Sequence, residues 1–82
     1  MELRQLNNVF EEARAVNARY IGMVLIPTGE TIIFNNEVFD YKQEYINDNY
    51  NSELQLKHAK HVQIVGCDYG RSFHDLQVKL KR

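Results

Sequence analysis

Two apolar runs flank a single Pro/Gly turn within residues 20–34. The first run reads Tyr-Ile-Gly-Met-Val-Leu-Ile and the second Thr-Ile-Ile-Phe, with Pro-Thr-Gly-Glu between them. β-Branched and aromatic residues on both sides of such a turn are typical of a β-hairpin. In the first strand, apolar residues fall on both alternating faces, which predicts a central strand that is covered from both sides.

Helical patterns lie on both sides of this hairpin along the chain. Residues 2–17 repeat apolar residues at helical spacing, so we expect an amphipathic helix that stops at Asn17. Near the other end, residues 68–71 have the composition of a turn. Ser72 then caps a last short helix, with Asp75 three residues later in a position like that of a capping box.

A third strand is predicted at residues 61–67. Val62 and Ile64 share one face of this strand, whereas Val65 and Cys67 share the other. Both faces are therefore apolar, as in the first strand, and we expect this strand to lie beside the first one.

The second helix is predicted to begin just after the hairpin. Asn35 and Asn36 are suitable N-cap residues, and Glu37 lies in the first turn, where a negative charge is favourable. The end of this helix is open to more than one interpretation, because an Asn-rich stretch of poor helix formers follows it.

Two interpretations of that stretch compete. In the first, which we favour, the helix bends and continues to about Ala59. In the second, it stops near Asn49 and Ser52 caps a separate helix. Leu54 and Leu56 also alternate as they would in a short strand.

The predicted order of elements is α-β-β-α-β-α, which indicates a small α+β fold. The simplest sheet has three antiparallel strands in the spatial order 2-1-3, with a right-handed crossover through the second helix. A chain of 82 residues with 44% hydrophobic and 26% charged residues is expected to form one globular domain, residues 1–82.

Charge and cysteine content restrict the classes of function. The net charge is −1, but it is unevenly distributed. Residues 31–50 carry one basic and four acidic groups, whereas residues 51–82 carry six basic and three acidic groups. One cysteine, Cys67, excludes an internal disulfide and suits a reducing, cytoplasmic location. We expect neither a signal peptide nor a membrane-spanning segment, because no apolar run is long enough.

The second helix offers a candidate face for a protein partner. Its acidic residues recur at spacings of three and four, and tyrosines, which are enriched at interfaces, lie near them. The alternative is a solvated face with tyrosines that cover the sheet. The candidate residues are Glu37, Asp40, Glu44, Asp48, Tyr41, Tyr45 and Tyr50.

The last third of the chain offers a candidate nucleic-acid surface. Basic residues there are spread over two predicted elements, and binding of this kind depends on clustered positive charge. The candidates are Lys57, Lys60, Arg71, Lys79, Lys81 and Arg82.

Catalytic and metal-binding patterns are weak. The three histidines His58, His61 and His74 could form a metal site with Cys67, and His58 and His61 are spaced like half of a zinc site, but the chain has one cysteine and no second close pair. A pair of Cys67 and a histidine, with the adjacent Asp68 as helper carboxylate, could be a nucleophile set, yet Cys67 lies in a predicted buried strand. We therefore predict no catalytic residue, no metal and no cofactor.

The segment near the end of the chain resembles a pattern in small uncharacterised proteins of Gram-positive prophages. This resemblance covers about a quarter of the chain and implies a strand that leads into a capped helix, with no activity attached. The residues that carry it are Ile64, Val65, Gly66, Gly70, Ser72, Phe73, Asp75 and Leu76.

These observations predict a non-enzymatic protein-interaction module that is phage-related and associates with itself. Strands with two apolar faces need cover on both sides. The three predicted helices could supply this cover within one chain, and a second copy would supply it more easily for a domain this small. The alternative is a small nucleic-acid-binding regulator that uses the basic last third.

Overall fold

A computed structural model describes residues 1–80 as an α+β structure. In chain order, the elements are α1 (Leu3–Ala15), β1 (Tyr20–Ile26), β2 (Thr31–Asn35), a 3₁₀ turn (Asn36–Val38), α2 (Phe39–Asn49), β3 (Gln55–Leu56), β4 (Ala59–Gly70) and α3 (Phe73–Leu80). The strands form one antiparallel sheet in the order β2-β1-β4-β3. No helix in this part of the chain is long and apolar enough to cross a membrane.

The sheet has one strand more than the sequence predicted. The hairpin of β1 and β2 is confirmed, and so is the position of the long strand β4 beside β1. The predicted order 2-1-3 with three strands is wrong, because the short strand β3 pairs with the beginning of β4. β4 is also longer than the predicted 61–67, and it takes in most of the predicted turn at 68–71.

Asparagine side chains explain why α2 ends where it does. The Asn49 amide donates to the carbonyl of Tyr45 (2.9 Å), and the Asn51 carbonyl oxygen accepts from the N–H groups of Glu53 (2.9 Å) and Gln55 (3.0 Å). Such local bonds compete with helix formation. The favoured continuation of the helix to about Ala59 is therefore wrong.

The loop that follows α2 is held at both ends. Ser52 caps no helix; instead its carbonyl accepts the N–H of Leu3 at the beginning of α1 (2.9 Å). Leu54 adopts a left-handed backbone conformation (φ 62°), its side chain is fully buried, and its carbonyl accepts from the N–H of Ile64 (3.0 Å). The loop thus leads directly into β3.

The predicted helix ends near Asn17 and Ser72 are confirmed. Asn17 has a positive φ of 55° just after α1, and the N–H of Ala18 donates to the carbonyl of Ala13 (2.8 Å), which is a Schellman arrangement. At the beginning of α3, the Ser72 hydroxyl accepts the N–H of Asp75 (3.1 Å).

Helices cover both faces of the sheet, as the apolar pattern of β1 predicted. On one face, α1 and α2 enclose a cluster of rings in which Phe10 lies 6.0 Å from Phe34 and 5.9 Å from Phe39, measured between centroids. On the other face, α3 packs against Gly22 through Leu76 and Leu80. Both α1 and α3 contact β4, from opposite faces of the sheet.

Candidate functional site

Residues 66–70 of β4 have no neighbouring strand on their outer side among residues 1–80. β3 pairs with Ala59 and Gln63 of β4, and the last bond to this neighbour runs from the N–H of Ile64 to Leu54. Beyond that point, no strand within residues 1–80 lies beside β4 on the side away from β1. We call residues 66–70 of this outer side the open edge.

The register of β1 decides which backbone groups face the open edge. Odd-numbered residues of β1 bond to the β2 side: the Arg19 carbonyl accepts from Asn36 (2.9 Å), and the Leu25 N–H donates to Glu30 (3.0 Å). Even-numbered residues therefore bond to β4, since the two sides alternate in an antiparallel sheet. These pairs are Tyr20 with Gly70, Gly22 with Asp68, and Val24 with Gly66.

The intervening residues of β4, Cys67 and Tyr69, thus direct their N–H and C=O groups outward. Tyr69 finds charged partners there: its N–H donates to Asp68 Oδ1 (2.8 Å), and its carbonyl accepts from Lys79 Nζ (2.7 Å). The outward backbone groups of Cys67 have no partner among residues 1–80.

Two clefts lie along the open edge between α1 and α3. The larger has a volume of about 560 Å³ and is lined by Val9 of α1, by Cys67, and by Lys79 and Leu80 of α3. The smaller has a volume of about 280 Å³ and is lined by Val16 after α1 and again by Lys79. Lys79 lines both clefts, and its ammonium group donates to the Tyr69 carbonyl.

The Cys67 thiol is a poor nucleophile. Burial, with a smaller contribution from the negative charge of Asp68, raises the pKa of this thiol to about 12. The residue as a whole is partly exposed because its backbone faces the open edge, whereas its side chain packs against the core. A thiol that stays protonated at neutral pH lacks the thiolate that nucleophilic catalysis needs.

The three histidines lie at exposed positions: His58 in the turn between β3 and β4, His61 in β4 and His74 in α3. Residues 1–80 contain no group of three or more His, Cys, Asp or Glu side chains placed to hold a metal ion.

The candidate face on α2 is only partly available. Tyr41 and Tyr45 are 64% and 49% exposed, but Tyr50 is buried in the core, where burial and the nearby Tyr45 raise its pKa. Tyr50 therefore does not belong to a docking face. Within the acidic set, Asp40 already binds Arg14 of α1 (2.6 Å). The other acidic residues of the set are exposed, namely Glu37, Glu44 and Asp48.

The described candidate nucleic-acid residues are spread over the molecule. Lys60 is the second residue of β4 and Arg71 directly follows its last residue, so the two lie near opposite ends of this strand. Lys57 donates to the carbonyl of Asp48 (3.0 Å), and Lys79 is held at the open edge. Lys81 and Arg82 lie outside the described residues.

Comparison of the chain with protein-family models, with curated proteins and with solved structures found no match. The open edge was missed by the sequence reasoning, which placed no strand at residues 55–56 and so could not tell where pairing along β4 stops. The alternation of Leu54 and Leu56 was the one signal that pointed to this strand.

Proposed function

We propose that the protein is a non-enzymatic interaction module that associates with a second copy of itself by pairing strands at the open edge of β4. The observation that carries the proposal is the outward-facing backbone of Cys67, which no described residue occupies. An edge strand with unpaired N–H and C=O groups is a template for a further strand.

An antiparallel pair of β4 strands suits a second copy. When a two-fold axis passes beside Asp68, Cys67 of each copy lies opposite Tyr69 of the other copy, and these two residues exchange N–H···O=C bonds, so the same surface serves both partners. Residues 66–70 span about 17 Å at about 3.4 Å per residue, which is the length of a typical strand.

Apolar residues at the end and on the side of α1 support the same arrangement. Val9 lines the larger cleft and Val16, which is 49% exposed, lines the smaller one. Pairing at β4 would bring the two copies of α1 side by side and cover both valines. Removing apolar surface from water favours association by about 25 cal/mol per Å².

The role within a cell is part of the proposal. The resemblance of residues 64–76 to small prophage proteins supports a phage-related protein. The single cysteine, which excludes an internal disulfide, suits a reducing compartment such as the cytoplasm.

Light scattering behind a sizing column, over a series of concentrations, tests this proposal. We expect a mass that rises towards that of a dimer with concentration. Val9→Lys adds a charge beside the open edge and should shift the profile towards monomer. Val78→Lys, at a position that is 59% exposed and lines neither cleft, is the matched control and should leave the profile unchanged.

Two outcomes would count against the proposal. A chain that stays monomeric at every concentration does not associate with itself. A dimer that Val78→Lys disrupts and Val9→Lys does not would place the interface on the outer side of α3 instead.

A further inference from the structure

Charged side chains occupy both outward backbone groups of Tyr69 on the open edge. Asp68 Oδ1 lies 2.8 Å from the Tyr69 nitrogen, and Lys79 Nζ lies 2.7 Å from the Tyr69 oxygen. Lys79 is further held by Asp75 (3.7 Å between Nζ and Oδ2) and by the Tyr69 ring, whose centroid lies 5.0 Å from Nζ.

We propose that Asp68 and Lys79 form an edge guard, which covers the Tyr69 end of the open edge and must move aside before a second copy of β4 pairs along its whole length. This inference rests on the strand pairing proposed above and adds its regulation. The occupant that the edge guard holds off is the same strand, from another copy of the chain.

The bonds of the edge guard imitate those of a neighbouring strand. A pairing strand would accept from the Tyr69 N–H and donate to the Tyr69 carbonyl, and the carboxylate and ammonium groups now do both. Hydrogen bonds with one charged partner are stronger than neutral ones, so an incoming strand replaces two good bonds with two ordinary ones. Charged residues, lysine above all, are a common protection of exposed edge strands.

Lys79 also lies in the space that a strand would fill. Both clefts along the open edge share Lys79 as a lining residue. When Lys79 turns away from the Tyr69 carbonyl, more of this space becomes free along β4. Among residues 1–80, the edge guard thus leaves the outward backbone of Cys67 uncovered, and its movement uncovers that of Tyr69 as well.

The test compares three variants of the full chain. The double variant Asp68→Ala with Lys79→Ala removes the edge guard, and Lys79→Arg keeps a cationic donor at the same position. Lys57→Ala is the matched control, because the Lys57 ammonium also donates to a backbone carbonyl, that of Asp48, but away from the open edge. Two quantities are measured: the dimerisation constant by sedimentation equilibrium, and the exchange rate of the Tyr69 amide hydrogen by NMR.

We expect the double variant to dimerise about tenfold more tightly, which corresponds to about 1.4 kcal/mol. We expect its Tyr69 amide, followed at a concentration where the chain is monomeric, to exchange about tenfold faster because it has lost its acceptor. Lys79→Arg and Lys57→Ala should behave like the wild type in both measurements.

The possible failures are distinguishable. When the wild type dimerises and the double variant dimerises no more tightly, the edge guard is overturned and the proposed strand pairing stands. When no variant associates at any concentration, strand pairing itself is overturned, and the edge guard with it. Unchanged exchange of the Tyr69 amide in the double variant contradicts the edge guard independently of association.

Discussion

Gly22 of β1 lies directly against Leu80 of α3. A Cβ atom added to Gly22 would come within 2.8 Å of the Leu80 Cδ1 atom and within 3.5 Å of Leu76 Cδ1. Real Cβ atoms do not approach other carbons as closely as the first of these distances. The absence of a side chain at Gly22 therefore leaves room for the side chains of Leu80 and Leu76 of α3.

The first prediction concerns this close approach. Gly22→Val should lower the free energy of unfolding by about 1–3 kcal/mol, because the added side chain overpacks the space under α3. Urea unfolding followed by circular dichroism measures the change. Thr31→Val, at an exposed position of the adjacent strand β2, is the control and should keep the wild-type midpoint. A Gly22→Val protein with that same midpoint would show that α3 moves away freely.

Those parts of the fold that depend on neighbouring residues were predictable from the sequence. The β1–β2 hairpin follows from two apolar runs and a Pro/Gly turn, and the ends of α1 and α3 follow from Asn17 and Ser72. In each case the deciding bonds lie within five residues along the chain. An isolated glycine within a strand, such as Gly22, indicates either a bulge or the close approach of a helix, and in the structure α3 lies close to it.

The predictions that were wrong concern parts of the fold that depend on contacts between residues distant in the sequence. β3 has two residues, which are too few for a periodic pattern. The residue before it, Leu54, is buried in the core and has a positive φ. A leucine rarely adopts that conformation, so no local rule predicts it. The open edge follows from where β3 ends relative to β4, and it is therefore a consequence of the same missed strand. Tyr50 is buried for a related reason, because it bridges to Leu56 of β3.

The second prediction concerns the loop between α2 and β3. Asn51→Ala should lower the free energy of unfolding by about 1–3 kcal/mol, because the N–H groups of Glu53 and Gln55 lose their shared acceptor. Thermal unfolding measures the change. Ser52→Ala removes an exposed hydroxyl next to it, and should change stability little because only the Ser52 carbonyl bonds to α1. An equal decrease in the free energy of unfolding in both variants would contradict the special role of Asn51.

The third prediction concerns the acidic residues of α2. Asp40→Asn should lower the free energy of unfolding by less than about 1 kcal/mol, because the Asp40 side chain is 95% exposed and solvent weakens its pair with Arg14. Glu44→Gln, four positions later, removes a like charge without breaking an ion pair and should leave stability equal or slightly higher. Measuring both in low and high salt checks the electrostatic origin, since the difference should shrink in high salt.

The fourth prediction concerns the alkaline limit of stability. The folded pKa of the Cys67 thiol is about 12, raised from an ordinary value of 9.0. The unfolded chain therefore loses this proton first as pH rises, and the protonated thiol's contribution to stability is fully present below about pH 9 and lost as pH approaches 12. The slope due to one such group is at most about 1.4 kcal/mol per pH unit.

Cys67→Ala isolates that slope. The variant should be less stable at neutral pH because it leaves a small space in the core, but its free energy of unfolding should fall less steeply than that of the wild type above pH 9. Tyr50, whose pKa is also raised, remains in both proteins, so the difference between the two curves belongs to the thiol. Parallel curves from pH 8 to 11 would mean that the thiol reaches water in the folded chain. The open edge would then be wide enough to admit water past the backbone of Cys67.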